Sequence, residues 1–172
     1  MLLTSELVEY CVELTKTHVV PGVWRRIVWV MTFATLGELN WLAVIVSTIV
    51  YYGLGALWYS RGVFGDRWAK SIGWNAAEAT PPASAAFYIL PFFGYLLIVV
   101  SIAMLTVATG TDTFAEGLVL GLVVGVLFAG SIFFTTAKFE PTKPEPMTWF
   151  VISGGYAAAG IILAAIILSV WR

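Results

Sequence analysis

The chain has 172 residues, of which 60% are hydrophobic and 11% charged, and its formal net charge is −1. This composition excludes an ordinary soluble domain, in which about a quarter of the residues are charged. The near-neutral charge gives no support for a nucleic-acid partner, and a single cysteine excludes an internal disulfide. The composition therefore predicts one integral membrane protein.

Residues 1–37 are predicted to form an amphipathic or interfacial N-terminal extension. Residues 3–18 have helical periodicity, with apolar side chains on one face and acidic ones on the other. Membrane-surface helices usually have a basic polar face, so we expect this helix to lie against the rest of the protein, with docking of a partner as the alternative. Translation from Met1 and from Met31 both remain open.

Four apolar runs without an interior charge follow, at residues 41–60, 87–108, 118–137 and 150–171. Each is long enough to cross a hydrocarbon core about 30 Å thick as a helix that rises about 1.5 Å per residue. The sequence thus predicts an all-α polytopic membrane protein, with a four-transmembrane-helix bundle formed by residues 38–172.

The first span has aromatic residues at both ends, as helices have at the two membrane interfaces. Trp41 and Trp58 are separated by about 26 Å of helix, which matches the hydrocarbon thickness. In residues 61–74, Phe64 and Trp68 share one face and basic residues lie on the other. This pattern predicts an interfacial amphipathic helix after the first span.

Small residues recur every four positions in the third span, at Gly117, Gly121, Gly125 and Ala129. The fourth span has a comparable set, at Gly154, Gly155, Ala158, Ala159 and Gly160. Such patterns let helix backbones approach closely in lipid, where hydrophobicity does not favour one helix over the acyl chains. We expect the two sets to pack on each other, with a contact between subunits as the alternative.

Residues for catalysis or metal binding are scarce. His18 and Cys11 are the only histidine and cysteine, too few for a metal site. The spans contain no His, Asp, Glu or Lys that could activate a nucleophile. We therefore expect no catalytic residue, no metal, no cofactor and no enzymatic activity.

A candidate polar site consists of Glu38, Tyr51 and Tyr52. A carboxylate near a span is a candidate for a proton relay, but anchoring in the head groups is the favoured explanation of Glu38, and capping of a helix N-terminus is the favoured explanation of Glu116. A phenol near mid-membrane needs a partner. For Tyr51 and Tyr52 this favours interhelical hydrogen bonds, with the lining of a small cavity as the alternative.

The distribution of basic residues predicts the orientation in the cell membrane. The first and third connections carry Arg61, Arg67, Lys70, Lys138 and Lys143. The positive-inside rule places both connections in the cytoplasm. When the basic residues of the extension and Arg172 are counted, five basic residues lie on the cytoplasmic side and four on the opposite side. The predicted orientation therefore depends on the true start of translation.

The chain resembles the membrane family catalogued as domain of unknown function 1761 over about residues 35–172. The residues that carry the resemblance are Asn40, Trp41, Gly55, Trp58, Tyr59, Phe64, Gly65 and Trp68, with Gly155 and Tyr156 in the fourth span. One departure is Arg61, because members often have proline after the Trp-Tyr-Ser motif. The resemblance implies four membrane helices and no established activity.

These features lead to two hypotheses for function. The first is a structural or accessory membrane component that interacts with lipids, with a homo-oligomer or another membrane protein as partner. The alternative is an oligomeric small-solute transporter or channel, since four short helices make a poor pathway alone. An enzyme acting on lipid ranks third, because the sequence offers no acid–base pair.

Overall fold

A computed structural model describes residues 33–74, 84 and 86–171. The predicted helix at residues 3–18 and the residues Cys11, His18 and Met31 lie outside these ranges. The chain divides into two compact units, residues 1–38 and 39–172. The described part of the first unit is a 3₁₀ helix, Phe33–Gly37, followed by the exposed Glu38.

Helices joined by turns and short loops make up the described residues of the second unit, which contain no strand. The helices are α1 (Trp41–Trp58), α2 (Gly65–Ser71), α3 (Ala86–Thr109), α4 (Phe114–Phe139) and α5 (Pro146–Val170). All except α2 are long and apolar enough to cross a membrane. The predictions of an all-α fold and of four spans are confirmed.

Helix α4 begins four residues before the predicted start of its span, because a capping box sets its N-terminus. The Thr113 Oγ1 accepts a hydrogen bond from the Glu116 N–H at 3.3 Å, and Glu116 Oε2 accepts one from the Thr113 N–H at 3.3 Å. Helix α5 likewise begins early, with Pro146 in its first turn. Hydrophobicity marks the membrane-embedded part of a helix, whereas caps mark its ends.

Helix α2 is shorter than the predicted segment of residues 61–74, because a tight turn precedes it. The N–H of Gly65 donates to the Ser60 carbonyl at 2.9 Å, and the N–H of Phe64 donates to the Trp58 carbonyl at 3.2 Å. A Cβ on Gly65 would lie 2.3 Å from the Tyr59 carbonyl oxygen. The turn therefore needs glycine at this position and leaves seven residues for α2.

Helix α5 is the centre of the bundle, since it packs against each of the other four helices. Helix α1 also packs on α3, whereas α4 makes its main contacts with α5. At the start of α5, Lys70 pairs with Glu145 at 3.1 Å, and the Glu145 N–H donates to the Ser71 carbonyl at 3.2 Å. The hydrogen bond from Lys70 lowers the pKa of Glu145, and these contacts join the first and third connections.

Helix α4 contains a π-helical segment, Val123–Ala129. Six buried or half-buried positions of α4 recur every four residues, at Gly117, Gly121, Gly125, Ala129, Phe133 and Ala137. In a regular α-helix, residues four positions apart are offset by about 40° around the helix axis. Over several such intervals, a set with this spacing would turn away from a neighbouring helix. The wider π turn rotates less per residue and keeps this set directed toward α5.

Candidate functional site

Phenol rings from three helices meet in the centre of the bundle. This tyrosine cluster consists of Tyr51 on α1, Tyr95 on α3, Tyr156 on α5 and Tyr59 at the end of α1. The ring centroids of Tyr51 lie 4.7 Å from Tyr95 and 5.4 Å from Tyr156, and those of Tyr59 and Tyr156 lie 5.2 Å apart. Tyr51 and Tyr156 are buried, so their hydroxyls need partners inside the protein.

Two of these tyrosines bind the backbone of the opposite helix. The Tyr51 hydroxyl donates to the Ala157 carbonyl at 3.2 Å, and the Tyr156 hydroxyl donates to the Tyr51 carbonyl at 3.1 Å. Helices α1 and α5 are antiparallel, as the first and fourth spans of a four-span chain must be. The two bonds therefore run reciprocally across one interface.

Each of the two rings occupies space left by a glycine on the opposite helix. A Cβ on Gly160 would lie 2.0 Å from Cε2 of Tyr51, and a Cβ on Gly55 would lie 2.9 Å from the Tyr156 hydroxyl oxygen. We call the set of Tyr51, Gly55, Tyr156 and Gly160 the tyrosine–glycine exchange. Both helices contribute the same Tyr-xxx-Gly motif, a signal that was visible in the sequence but not used to predict the pairing.

The residues of the candidate polar site, Glu38, Tyr51 and Tyr52, have different environments. Tyr52 donates to the Tyr88 carbonyl on α3 at 2.8 Å, while Tyr51 donates to α5. Both phenols thus make interhelical hydrogen bonds, to different helices. Glu38 belongs to the first unit and is exposed.

Three of the predicted packing glycines on α4 lie against α5. A Cβ on Gly117 would lie 2.7 Å from Ser169 Oγ, one on Gly121 would lie 2.7 Å from Ile162 Cα, and one on Gly125 would lie 3.0 Å from the Ala158 carbonyl oxygen. We call this contact the glycine ridge. Of the remaining predicted packing residues, Gly155 adjoins Trp58, and Ala129 and Ala159 are half-buried.

Most residues that carry the family resemblance gather where α1 ends. The Trp58 indole donates to the Ile152 carbonyl at 3.0 Å and lies 4.8 Å from the Phe64 ring. Tyr59 and Trp68 form an edge contact at 5.3 Å. These contacts fix the turn between α1 and α2 against the start of α5.

The other two residues of the resemblance lie at the opposite end of α1. Asn40 caps α1 by accepting from the Ala43 N–H at 3.1 Å, and its amide donates to the Trp171 carbonyl at 3.4 Å. The Trp41 side chain is 47% exposed, as suits an interfacial tryptophan.

A cleft of about 960 Å³ opens at the end of α1 beside α2. Its polar lining includes Arg61 and Asp66, and its aromatic lining consists of Tyr59, Trp68, Trp74 and Tyr88. We call it the interfacial cleft. It was not predicted, because the turn and α2 create it only when folded against α3.

The described interior contains hydroxyls and no buried Asp, Glu, Lys or Arg. Thr48 donates to the Val44 carbonyl at 2.8 Å and Ser169 to the Ala165 carbonyl at 2.6 Å, whereas the buried Ser47 hydroxyl has no partner among the described residues. In the same part of the chain, His, Cys, Asp and Glu form no group of three that could hold a metal ion.

Four long apolar helices around a largely uncharged centre define a polytopic α-helical membrane protein. Residues 42–169 match the family described as "Protein of unknown function (DUF1761)", and the chain belongs to that family. This confirms the resemblance found in the sequence. No curated protein and no solved structure matches the chain.

Proposed function

We propose that this protein is a structural or accessory component of the cell membrane that interacts with lipids and performs no reaction of its own. The observation that carries the proposal is the filled centre of the bundle. The tyrosine–glycine exchange closes the space between α1 and α5, with Tyr51 only 1% exposed. Packing of this kind suits a rigid element better than a pathway that must open.

The polar groups of the interior support the same proposal. Transporters driven by protons usually carry an intramembrane carboxylate, whereas the buried polar side chains described in this bundle are uncharged. Four of the eight buried polar side chains in the described residues bond to a carbonyl of their own helix, namely Thr48, Ser71, Thr106 and Ser169. Such groups are satisfied without a solute.

Lipid is the partner that the outer surfaces favour. Helix α4 packs mainly on α5 and exposes the large apolar side chains of Val119, Leu122, Val123, Val126, Leu127 and Phe128. In a membrane these side chains contact lipid acyl chains. A second copy of the chain or another membrane protein would take the place of those acyl chains.

An oligomeric small-solute transporter is the second candidate. Ser131, Thr135 and Thr136 are exposed along the outer surface of α4, and several copies could bring these hydroxyls around a shared polar path. Each of them already donates to a carbonyl of its own helix. We therefore rank this candidate below the accessory role.

Reconstitution into liposomes separates the two candidates. The accessory role predicts no flux of ions or small polar solutes above that of empty liposomes, and lipids or a partner protein retained in native mass spectrometry. The transporter candidate predicts a solute flux that Ser131→Ala or Thr135→Val reduces. Ser101→Ala, on the outside of α3, should leave that flux unchanged. This combination of results would favour the transporter over the accessory role.

We also propose that the first and third connections are cytoplasmic. The five basic residues that the structure describes are Arg61, Arg67, Lys70, Lys138 and Lys143, all at this end of the bundle, while Asp112 and Glu116 lie at the other. In a Cys11→Ser background, an impermeant maleimide added to intact cells should label Asp112→Cys and spare Lys143→Cys. The reverse labelling would invert the orientation.

A further inference from the structure

We propose that the interfacial cleft binds the head group of a zwitterionic phospholipid, with the phosphate at Arg61 and the ammonium at Asp66 and the aromatic rings. This inference rests on the proposed lipid-interacting function and names the lipid class. The position of the cleft is the first argument. Tyr59 directly follows the spanning helix α1, so the cleft lies at the depth where head groups begin.

The charges of the cleft are the second argument. Arg61 and Asp66 both line it, and neither forms an ion pair with a described residue. By contrast, Lys70 pairs with Glu145 and Lys143 pairs with Glu140 at the same end of the bundle. Within the part of the chain that the structure describes, the cleft therefore presents one cation and one anion without an ion-pair partner, which complement a phosphate and an ammonium within one ligand.

The aromatic lining is the third argument. The Trp68 ring contacts Tyr59 at 5.3 Å and Trp74 at 6.2 Å, both edge to face. Perpendicular rings of this kind form two walls of a cage that attracts an ammonium or quaternary ammonium group. An anionic lipid without an amine would gain nothing from these rings or from Asp66.

The size of the cleft agrees with this ligand. Its volume of about 960 Å³ lies at the upper end of small-molecule sites, about 300–1,000 Å³. That is room for a phosphate, a short amine-bearing arm and the glycerol from which acyl chains extend along the bundle. The proposal therefore concerns a lipid in the membrane and not a free solute.

The test is native mass spectrometry of the delipidated full chain with equal amounts of phosphatidylethanolamine, phosphatidylcholine and phosphatidylglycerol. We expect the two zwitterionic lipids, phosphatidylethanolamine and phosphatidylcholine, to bind about tenfold more tightly than phosphatidylglycerol, a difference of about 1.4 kcal/mol. Asp66→Asn should remove that preference. Arg61→Gln should weaken all three lipids alike, since all contain the phosphate.

Matched controls are the charge-neutralising variants Arg67→Gln, adjacent to the cleft but outside its lining, and Asp112→Asn at the opposite end. Both should bind lipids as the parent does. Soluble glycerophosphoethanolamine in hundredfold excess should not displace the lipid. If it did, the cleft would be a site for a free solute and not for a membrane lipid.

The proposed function and the head-group site fail in different ways. Equal binding of the three lipids, unchanged by Asp66→Asn, in a protein without solute flux would overturn the site and leave the accessory role. Solute flux together with a preference that Asp66→Asn removes would establish the site and overturn the accessory role.

Discussion

Helix α5 uses opposite faces for two different kinds of contact. Toward α1, the tyrosine–glycine exchange places a large ring against each glycine and adds two hydrogen bonds. Toward α4, the glycine ridge brings backbone against backbone, with Gly121 beside Ile162. At about 100° per residue, Gly160 and Ala158 lie on opposite sides of α5. The first contact depends on particular side chains, whereas the second depends on the absence of side chains.

The difference appears in how much of each helix is buried. Within the apolar stretch of 18 residues that could cross the membrane, 56% of the residues are buried in α5 and 17% in α4. Helix α5 meets neighbours on both faces, whereas α4 meets mainly α5. We therefore expect α5 to tolerate substitution least, and the exchange to be more sensitive than the ridge.

The largest effect is expected for Gly160→Ala. The new Cβ would overlap the Tyr51 ring at 2.0 Å, and displacing that ring would also break its bond to Ala157. Overpacking and the lost hydrogen bond should together lower the free energy of unfolding by about 3 kcal/mol. Titration with sodium dodecyl sulfate, followed by tryptophan fluorescence, measures it.

Gly155→Ala is the matched control on the same helix, because its Cβ would lie at an ordinary 3.5 Å from the Trp58 ring. It should change the unfolding free energy by less than about 0.5 kcal/mol. Equal effects of the two substitutions would show that the Tyr51 ring does not need Gly160.

The next effect is expected for Gly121→Ala in the ridge. Its Cβ would approach Ile162 Cα at 2.7 Å, so the two helices must separate slightly along their contact. We expect a loss of about 2 kcal/mol in the same titration. Gly130→Ala, whose Cβ would lie 3.7 Å from its nearest neighbour, should be neutral. A loss at Gly130 equal to that at Gly121 would contradict the close contact.

A smaller effect is expected for Tyr156→Phe, which removes the hydroxyl that donates to the Tyr51 carbonyl. Interhelical bonds in membranes contribute about 1 kcal/mol. The double variant with Tyr51→Phe should deviate from additivity, because both bonds cross one interface. Combining Tyr156→Phe with Tyr52→Phe, whose bond goes to α3, should be additive. Additivity in both pairs would mean that the reciprocal bonds act independently.

The smallest effect, and the only gain, is expected for Ser47→Ala. Ser47 lies one turn before Tyr51, is 1% exposed, and its hydroxyl has no partner among the described residues. Removing that hydroxyl should stabilise the fold by about 0.5 kcal/mol. Ser169→Ala, which removes a bonded hydroxyl beside Gly117, should give no gain. A loss at Ser47 would indicate a partner for its hydroxyl.

Sequence patterns predicted the fold class well because lipid leaves few choices. A long uncharged apolar run must form a helix to satisfy its backbone, so four runs predicted four spans. The patterns predicted the ends less well, since Thr113 and Glu116 cap α4 before its apolar run begins. The π-helical segment in α4 has no clear sequence signal, because it follows from the contact with α5.

The sequence by itself determined that this chain spans a membrane four times and belongs to its family. Both conclusions depend on apolar runs and motifs whose residues lie close together in the chain. It also contains both Tyr-xxx-Gly motifs, Tyr51 with Gly55 and Tyr156 with Gly160. Only the tertiary structure decided that these motifs face each other and that Arg61 and Asp66 share a cleft. In lipid no helix face is favoured by hydrophobicity alone, so the partners of each helix depend on shape and hydrogen bonds that appear on packing.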